Sequence, residues 1–382
     1  MLETAVKAGA PEDCIQWIEN PSMDATNALM NNKGVATILA TGGNGMVKAA
    51  YSCGKPALGV GAGNVPAYIE KTADIKQAVN DIVLSKAFDN GMICASEQAV
   101  IVDKEIYGEV VEEFKRFGVV LATKKQKEQL ERFMFNINDD RTNLQEAKLN
   151  ADIVGQPAKD IALGAGFNVP DRTPVILVEC KEVGINEPLT REKLSPILAI
   201  IKANDLEDGY DKACKMVEFN GLGHSACIHT KSKEIAEEFG KRVKAMRIIW
   251  NSPATFGGIG NIYNSFLPSL TLGCGSYGNN SVGGNISAVN LLNIKKIGKR
   301  RNTMQWFKVP SKIYFERNSI QYLHDMKNIN RAFIVTDRTM MDLGYVNKIT
   351  EQLNLRRNKV QVSLFCDVEP DPDISTVKKG LN

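Results

Sequence analysis

The feature that most constrains the fold is a strand–turn–helix–strand unit near the N-terminus. Residues 35–40, Val-Ala-Thr-Ile-Leu-Ala, are an apolar, partly β-branched run that reads as a buried strand. Thr41-Gly42-Gly43-Asn44-Gly45 reads as a turn, residues 46–52 as a helix, and residues 57–60 as the next strand. Two strands joined through a helix run parallel, because the crossover returns the chain to the same end of the sheet. The expected class is therefore α/β with a parallel sheet. A second helix is signalled after Asp74, a capping residue, with Ile75, Ala78, Val79, Ile82 and Val83 on one face. A loop over 89–96 then leads into a strand at 99–102.

Further along, residues 104–117 and 231–246 read as helices, and 174–178, 197–201 and 247–250 as strands. Residues 251–284 turn rich in Gly, Asn, Ser and Pro, a composition of loops, and a long loop inside a compact domain tends to be functional. Lys295, Lys296, Lys299, Arg300 and Arg301 form a basic cluster that reads as a solvated linker. Beyond it, strand-like runs recur at 312–315, 331–337 and 359–365, too few to close a doubly wound domain.

A net charge of +3 gives no ground for nucleic-acid binding. The eight cysteines are scattered, without a C-x-x-C pair or a Cys/His spacing suited to zinc, as in a reducing compartment. No apolar run approaches a membrane span and the N-terminus lacks a signal-peptide pattern, so a cytoplasmic protein without membrane contact is expected.

Two glycine-rich turns follow successive strands: Thr41-Gly42-Gly43, and Gly59-Val60-Gly61-Ala62-Gly63. Exposed backbone amides at a helix start hold phosphate, and glycine lets a pyrophosphate approach the backbone. Neither turn is a G-x-G-x-x-G fingerprint, so each alone reads equally as a tight strand-to-helix turn. Cys94 lies in a glycine-containing loop between helix and strand. A thiolate there would be a nucleophile toward a carbonyl carbon, although an isolated cysteine also reads as buried and inert.

Residues 88–94, Phe-Asp-Asn-Gly-Met-Ile-Cys, resemble the cysteine motif of the aldehyde dehydrogenase superfamily; residues 58–66 resemble its Glu-Leu-Gly-Gly segment, and Glu192-Lys193-Leu194-Ser195-Pro196 its Glu-x-Phe-x-Pro motif. The strings ILATGGNGMVKAAYSCGKPALGVGAGN, FDNGMICASEQ, EKLSPILA and PSLTLGCGSYG are similar to the bifunctional aldehyde-alcohol dehydrogenase family of fermentative microbes, as are FKVPSKIYFERNSI and FIVTDR in the tail. The resemblance runs over nearly the whole chain.

The resemblance implies an aldehyde dehydrogenase-like fold: a partial NAD-binding domain at 1–88, a catalytic cysteine domain at 89–255, and a return to the cofactor domain with an oligomerisation region at 256–293. A linker at 294–310 and the start of an alcohol dehydrogenase domain at 311–382 would follow, the chain being truncated at both ends relative to the family. It implies NAD with its pyrophosphate near Thr41, Gly42, Gly43, Gly61 and Gly63, Glu192 on the nicotinamide ribose, and Gly273 and Gly275 on the cofactor side. Cys94 would form a thioester, and CoA, a substrate, would take the acyl group, linking acetaldehyde and acetyl-CoA. His224 would serve CoA or proton transfer. Without the resemblance, Glu192 reads as a surface carboxylate and His224 as a structural histidine. Where hydrolytic members carry a glutamate base, this chain has Gly59, which favours acyl transfer to CoA over water. Asp337 and Asp371 match cofactor positions of the alcohol dehydrogenases. Iron is expected only in the missing part of that domain, since the histidines are His224, His229 and His324 alone. The family also implies a homo-oligomer and filaments. The competing readings are a hydrolytic aldehyde dehydrogenase and a non-catalytic, filament-forming assembly piece, to which exposed residues 279–302 would contribute.

Overall fold

The computed structural model describes residues 1–300 and 309–381. It falls into two units, Met1–Lys295 and Lys296–Asn382.

The first unit contains two parallel sheets. Strands β1 (Ile38–Thr41) and β2 (Ala57–Val60) pair in register from Ile38 with Ala57 to Thr41 with Val60. The helix Asn44–Ser52 crosses between them, and a small core of Met30, Ala40, Ala50 and Ala57 packs this helix and strand pair together. β1 starts later than residue 35, because the Val35 N–H is used in a turn, donating to Asn32 O at 3.0 Å.

The larger sheet has β3 (Val65–Ile69), β4 (Glu97–Asp103), β5 (Val120–Leu121), β6 (Ile176–Cys180), β7 (Ile197–Ala203), β8 (Gly223–His229) and β9 (Ala245–Trp250). Its order is β5-β6-β7-β4-β3-β8-β9, parallel throughout. β3, β4 and β8 are buried at every position, as expected when helices cover both faces. The helix Ile75–Ala87 is capped by the Asp74 carboxylate, which accepts from Gln77 N at 3.1 Å, and buries Ala78, Val79, Ile82 and Val83 against the sheet. β3 and this helix thus belong with the large sheet, because β3 pairs with both β4 and β8. After β9, residues 273–284 return to β2: Ser281 Oγ donates to Ala57 O at 2.8 Å, and Tyr51 OH accepts from both Gly59 N and Ser281 N at 2.9 Å.

In the second unit β10 (Arg331–Val335) and β11 (Gln361–Phe365) are parallel, joined through the helix Tyr345–Asn354, whose Val346 and Leu353 are buried. Residues 312–315 are not a strand; they are exposed and irregular, with Tyr314 stacked on Tyr322 at 4.2 Å. Lys295, Lys296, Lys299 and Arg300 are exposed in an irregular segment. Arg301 and the remainder of the expected linker up to 308 lie outside the described residues, as does Asn302 of the proposed assembly segment. No helix among the described residues is long and apolar enough to cross a membrane.

Candidate active site

The four residues 61–64 join the carboxyl end of β2 to the amino end of β3. Cys94 precedes β4, Glu192 precedes β7, and His224 opens β8, so all three gather at the amino edge of the large sheet, where the β2 connection arrives. The cysteine loop is shaped by left-handed backbone at Asp89 (φ 49°), Asn90 (φ 49°) and Gly91 (φ 70°), residue types that tolerate it. A Cβ on Gly91 would sit 2.5 Å from Ser195 O, so the loop lies directly against the segment bearing Glu192. Asn90 Nδ2 donates to Gly155 O at 2.9 Å and Ser96 N to Ile93 O at 2.8 Å, fixing both flanks of Cys94.

Gly63 is the junction. Its N–H donates to Glu192 Oε1 at 3.0 Å. A Cβ there would meet Cys94 O at 2.2 Å and the His224 ring at 3.0 Å, so only glycine admits this approach. Burial pushes the Cys94 thiol up to about 12; the Glu192 charge pushes the same way and the Arg247 guanidinium opposes it. Burial raises Glu192 to about 7, against the Gly63 N–H and the ammonium groups of Lys86 and Lys193. His224 is fully buried and held down at about 3 by burial and by the Arg247 charge. Its Nδ1 lies 3.1 Å from Ser225 Oγ, and its Nε2 has no partner.

The aldehyde dehydrogenase family matches residues 1–261, and the iron-containing alcohol dehydrogenase family matches residues 310–382. The chain belongs to the aldehyde dehydrogenase family. It is 66% identical over 378 residues to an aldehyde-alcohol dehydrogenase of Streptococcus pneumoniae, covering 99% of this chain and 43% of that protein. The chain spans 42–44% of the length of the curated aldehyde-alcohol dehydrogenases it matches. The crystal structure of an acetylating aldehyde dehydrogenase from Geobacillus thermoglucosidasius superposes with TM-score 0.73 at 42% identity, over 80% of this chain and 66% of that one. A propionaldehyde dehydrogenase of Rhodopseudomonas palustris, solved with bound CoA and an acylated cysteine, superposes with TM-score 0.64 at 26% identity, over 73% of this chain and 61% of that one. The α/β fold is that of these acylating enzymes.

Other residues of this aldehyde dehydrogenase chain fall as follows. Thr41 and Gly43 are exposed and Gly42 is half-buried at the start of the helix Asn44–Ser52, which has no side-chain cap. A Cβ on Gly43 would meet nothing within 4 Å, so the helix start is open to a ligand, which fits a phosphate. A cleft of about 610 Å³ runs from Gly61 between this helix (Lys48, Tyr51) and Asn220, Leu222 and Tyr277; Cys94 does not line it. Gly273 and Gly275 owe their glycines to backbone packing. A Cβ on Gly273 would sit 2.3 Å from Val282 O, and Gly275 has φ +58°. The role assigned to Gly59 does not fit the geometry. A side chain there would run into Tyr51 Cε2 and Val47 Cγ1, both at 2.7 Å, because β2 turns that face toward the crossing helix. It is Gly63, in the connection beyond β2, whose added Cβ would meet the Cys94 carbonyl oxygen and the His224 ring.

In the second unit Asp337 caps the helix Arg338–Asp342, accepting from Met340 N at 2.9 Å, and lines a cleft with Asp367 and Glu369. Asp371, with φ +52°, does not line that cleft. Iron does not fit these residues: His324 is the one histidine after residue 308 and pairs with Asp325 at 3.0 Å. No group of three or more His, Cys, Asp or Glu among the described residues is arranged to hold a metal.

Sequence reasoning missed Arg247, Ser225, Lys86 and Lys193. Lys193 is fully buried and donates to Gln98 O, Leu189 O and Arg191 O at 2.7–2.9 Å, which holds the Glu192 segment. Burial pushes the Lys86 ammonium down to about 7. Arg247 is buried with no carboxylate partner among the described residues. The available signal was a lone charge inside the strand-like run 247–250, since buried charges are rare unless they have a task.

Proposed function

We propose that the first unit is the catalytic cysteine part of a CoA-acylating aldehyde dehydrogenase, interconverting acetaldehyde, CoA and NAD with acetyl-CoA and NADH. The observation that carries the reading is the convergence of Cys94, His224 and Glu192 on Gly63. It is supported by similarity to an acylating enzyme solved with CoA and an acylated cysteine. Cys94 forms the bond to the carbonyl carbon as a thiolate, its proton leaving to a neighbouring base or water. The Arg247 charge favours that thiolate, and the Cys94 backbone N–H would hold the developing oxyanion. A bound nicotinamide supplies the hydride acceptor. Gly43 and Gly61 would hold its phosphates and Glu192 its ribose, with NAD as the preferred form. The Cys94 thioester then passes its acyl group to the CoA thiol, restoring the cysteine. Preference for CoA over water rests on the acylating relatives rather than on Gly59.

This reading places the chain in the cytoplasm, within a bifunctional aldehyde-alcohol dehydrogenase of ethanol fermentation that assembles as a homo-oligomer and filament, residues 256–293 contributing to assembly. The test uses the half-reaction that needs no nicotinamide. The 382-residue chain is incubated with acetyl-CoA and its peptides are mapped by mass spectrometry. An acetyl group on Cys94, released by added CoA, is expected. Acetylation elsewhere or not at all would overturn the assignment, and release as acetate at an equal rate without CoA would favour the hydrolytic enzyme.

A further inference from the structure

We propose that Arg247 and Ser225 are positioning residues that set the tautomer of His224, keeping its proton on Nε2 and making that nitrogen a hydrogen-bond donor to the reacting oxygen of the substrate. The argument is a count of donors and acceptors in a dry site. Arg247 has five N–H groups and accepts nothing. Nε donates to Ser225 Oγ at 3.0 Å. Nη1 donates to Gly273 O at 2.9 Å and Asn285 Oδ1 at 3.5 Å, and Nη2 to His224 O at 2.8 Å and Leu272 O at 3.2 Å. The guanidinium is thus fully engaged and cannot rotate away. Ser225 Oγ must accept from it, and the Ser225 hydroxyl proton still needs an acceptor. Among the described residues the acceptor within reach is His224 Nδ1, at 3.1 Å.

Two neutral arrangements follow. If Nδ1 is bare, it accepts from Ser225, and the single orphan is Nε2–H. If Nδ1 carries the proton, the Ser225 hydroxyl and the Nε2 lone pair are both left unpaired. Ser225 and His224 are buried, so water does not satisfy them. One orphan costs less than two, which selects the Nε2–H form. The imidazolium is disfavoured by the same burial and by the adjacent guanidinium. Nε2 is the histidine atom that lacks a partner in the protein, and its orphaned donor is satisfied once a bound molecule offers an oxygen. A carbonyl or tetrahedral oxygen at Cys94 is an acceptor of the right kind, so His224 stabilises that oxygen rather than removing the thiol proton. This last step rests on the acylation chemistry proposed above; the tautomer does not.

The experiment separates the two. Histidine is isotopically labelled in the 382-residue chain, and long-range proton–nitrogen correlations report which ring nitrogen bears hydrogen, His224→Gln identifying the signals. A protonated Nε2 and bare Nδ1 are expected, favoured more than about tenfold. Ser225→Ala should erode that preference and Ser225→Thr, which keeps the hydroxyl, should restore it. A proton on Nδ1, a charged ring, or a tautomer indifferent to Ser225→Ala would overturn the proposal. Acetylation of Cys94 is followed in the same variants. A shifted tautomer with an unchanged acetylation rate would remove His224 from the chemistry while leaving the tautomer assignment standing.

Discussion

Gly63→Ala should damage the site far more than its single methyl suggests. The added Cβ would lie 2.2 Å from Cys94 O and 3.0 Å from His224 Cγ and Nδ1. The first contact falls roughly 1 Å short of ordinary separation. The obstructing atom is backbone oxygen, in a loop anchored by Asn90 to Gly155 and by Ser96 to Ile93, so it cannot swing aside as a side chain would. Overpacking of this kind costs about 1–3 kcal/mol. For a unit of this size that is a fall of roughly 2–12 °C in Tm. The functional loss should be larger, because a displacement near 1 Å at a reacting group costs on the order of 10²-fold in rate. Thermal unfolding and the rate of Cys94 acetylation by acetyl-CoA are the two measurements. Gly298→Ala, in an exposed irregular segment, is the control: its Cβ would meet nothing within 4 Å, so stability should change by less than about 0.5 kcal/mol. A Gly63→Ala chain with unchanged Tm and unchanged acetylation would refute the claim that Gly63 is the junction of the site.

Four further outcomes are expected. Cys94→Ser should keep the fold, and iodoacetamide labelling at that position and thioester formation should both disappear, since a hydroxyl is a poor nucleophile here; peptide mapping decides it. With burial holding the Cys94 thiol near 12, its alkylation should quicken about tenfold per pH unit from roughly pH 7 to 10, thiolate being the reactive form, and a plateau near pH 8 would contradict this. Glu192 is raised from 4.5 to about 7 in the folded chain, so the fold binds that proton more tightly than the unfolded chain does. Its contribution to stability is therefore fully present below pH 4.5 and lost as pH rises through 7; Glu192→Gln should gain up to about 3 kcal/mol at pH 8 relative to pH 4, read from urea midpoints. Tyr51→Phe leaves the N–H groups of Gly59 and Ser281 without their shared acceptor and should cost about 1–3 kcal/mol in the same assay.

Local signals were legible wherever the physics is local. The Asp74 cap, the apolar face from Ala78 to Val83 and the strand at 57–60 can be read from a dozen residues, because capping and helical period act over one or two turns. Cys94 was legible from its motif. β3 and β8 were not, although β4, buried at every position like them, was; the difference lies in their composition. β3 carries Pro66 at a register shift, and β8 includes His224, Ser225 and His229, which read locally as loop. The 312–315 run failed in the opposite sense. It has strand composition, but lies exposed and irregular, and a strand forms only where a neighbour pairs with it.

The sequence by itself determined the α/β class and the family and singled out Cys94, since these reside in short contiguous strings. Only the tertiary structure decided what surrounds that cysteine. Gly63 and Glu192 meet across 129 residues, and the Gly63 approach to Cys94 and His224 depends on where β2, β3, β4 and β8 deliver their ends. Whether a missing side chain faces the Cys94 carbonyl and the His224 ring, as at Gly63, or the crossing helix, as at Gly59, depends on how the chain leaves β2 for β3. Likewise, Arg247 and Ser225 become partners through the pairing of β8 with β9, which sets Ser225 opposite Arg247. Spacing along the chain carries no record of such a meeting, because burial and hydrogen-bond geometry arise only when distant strands close into one sheet.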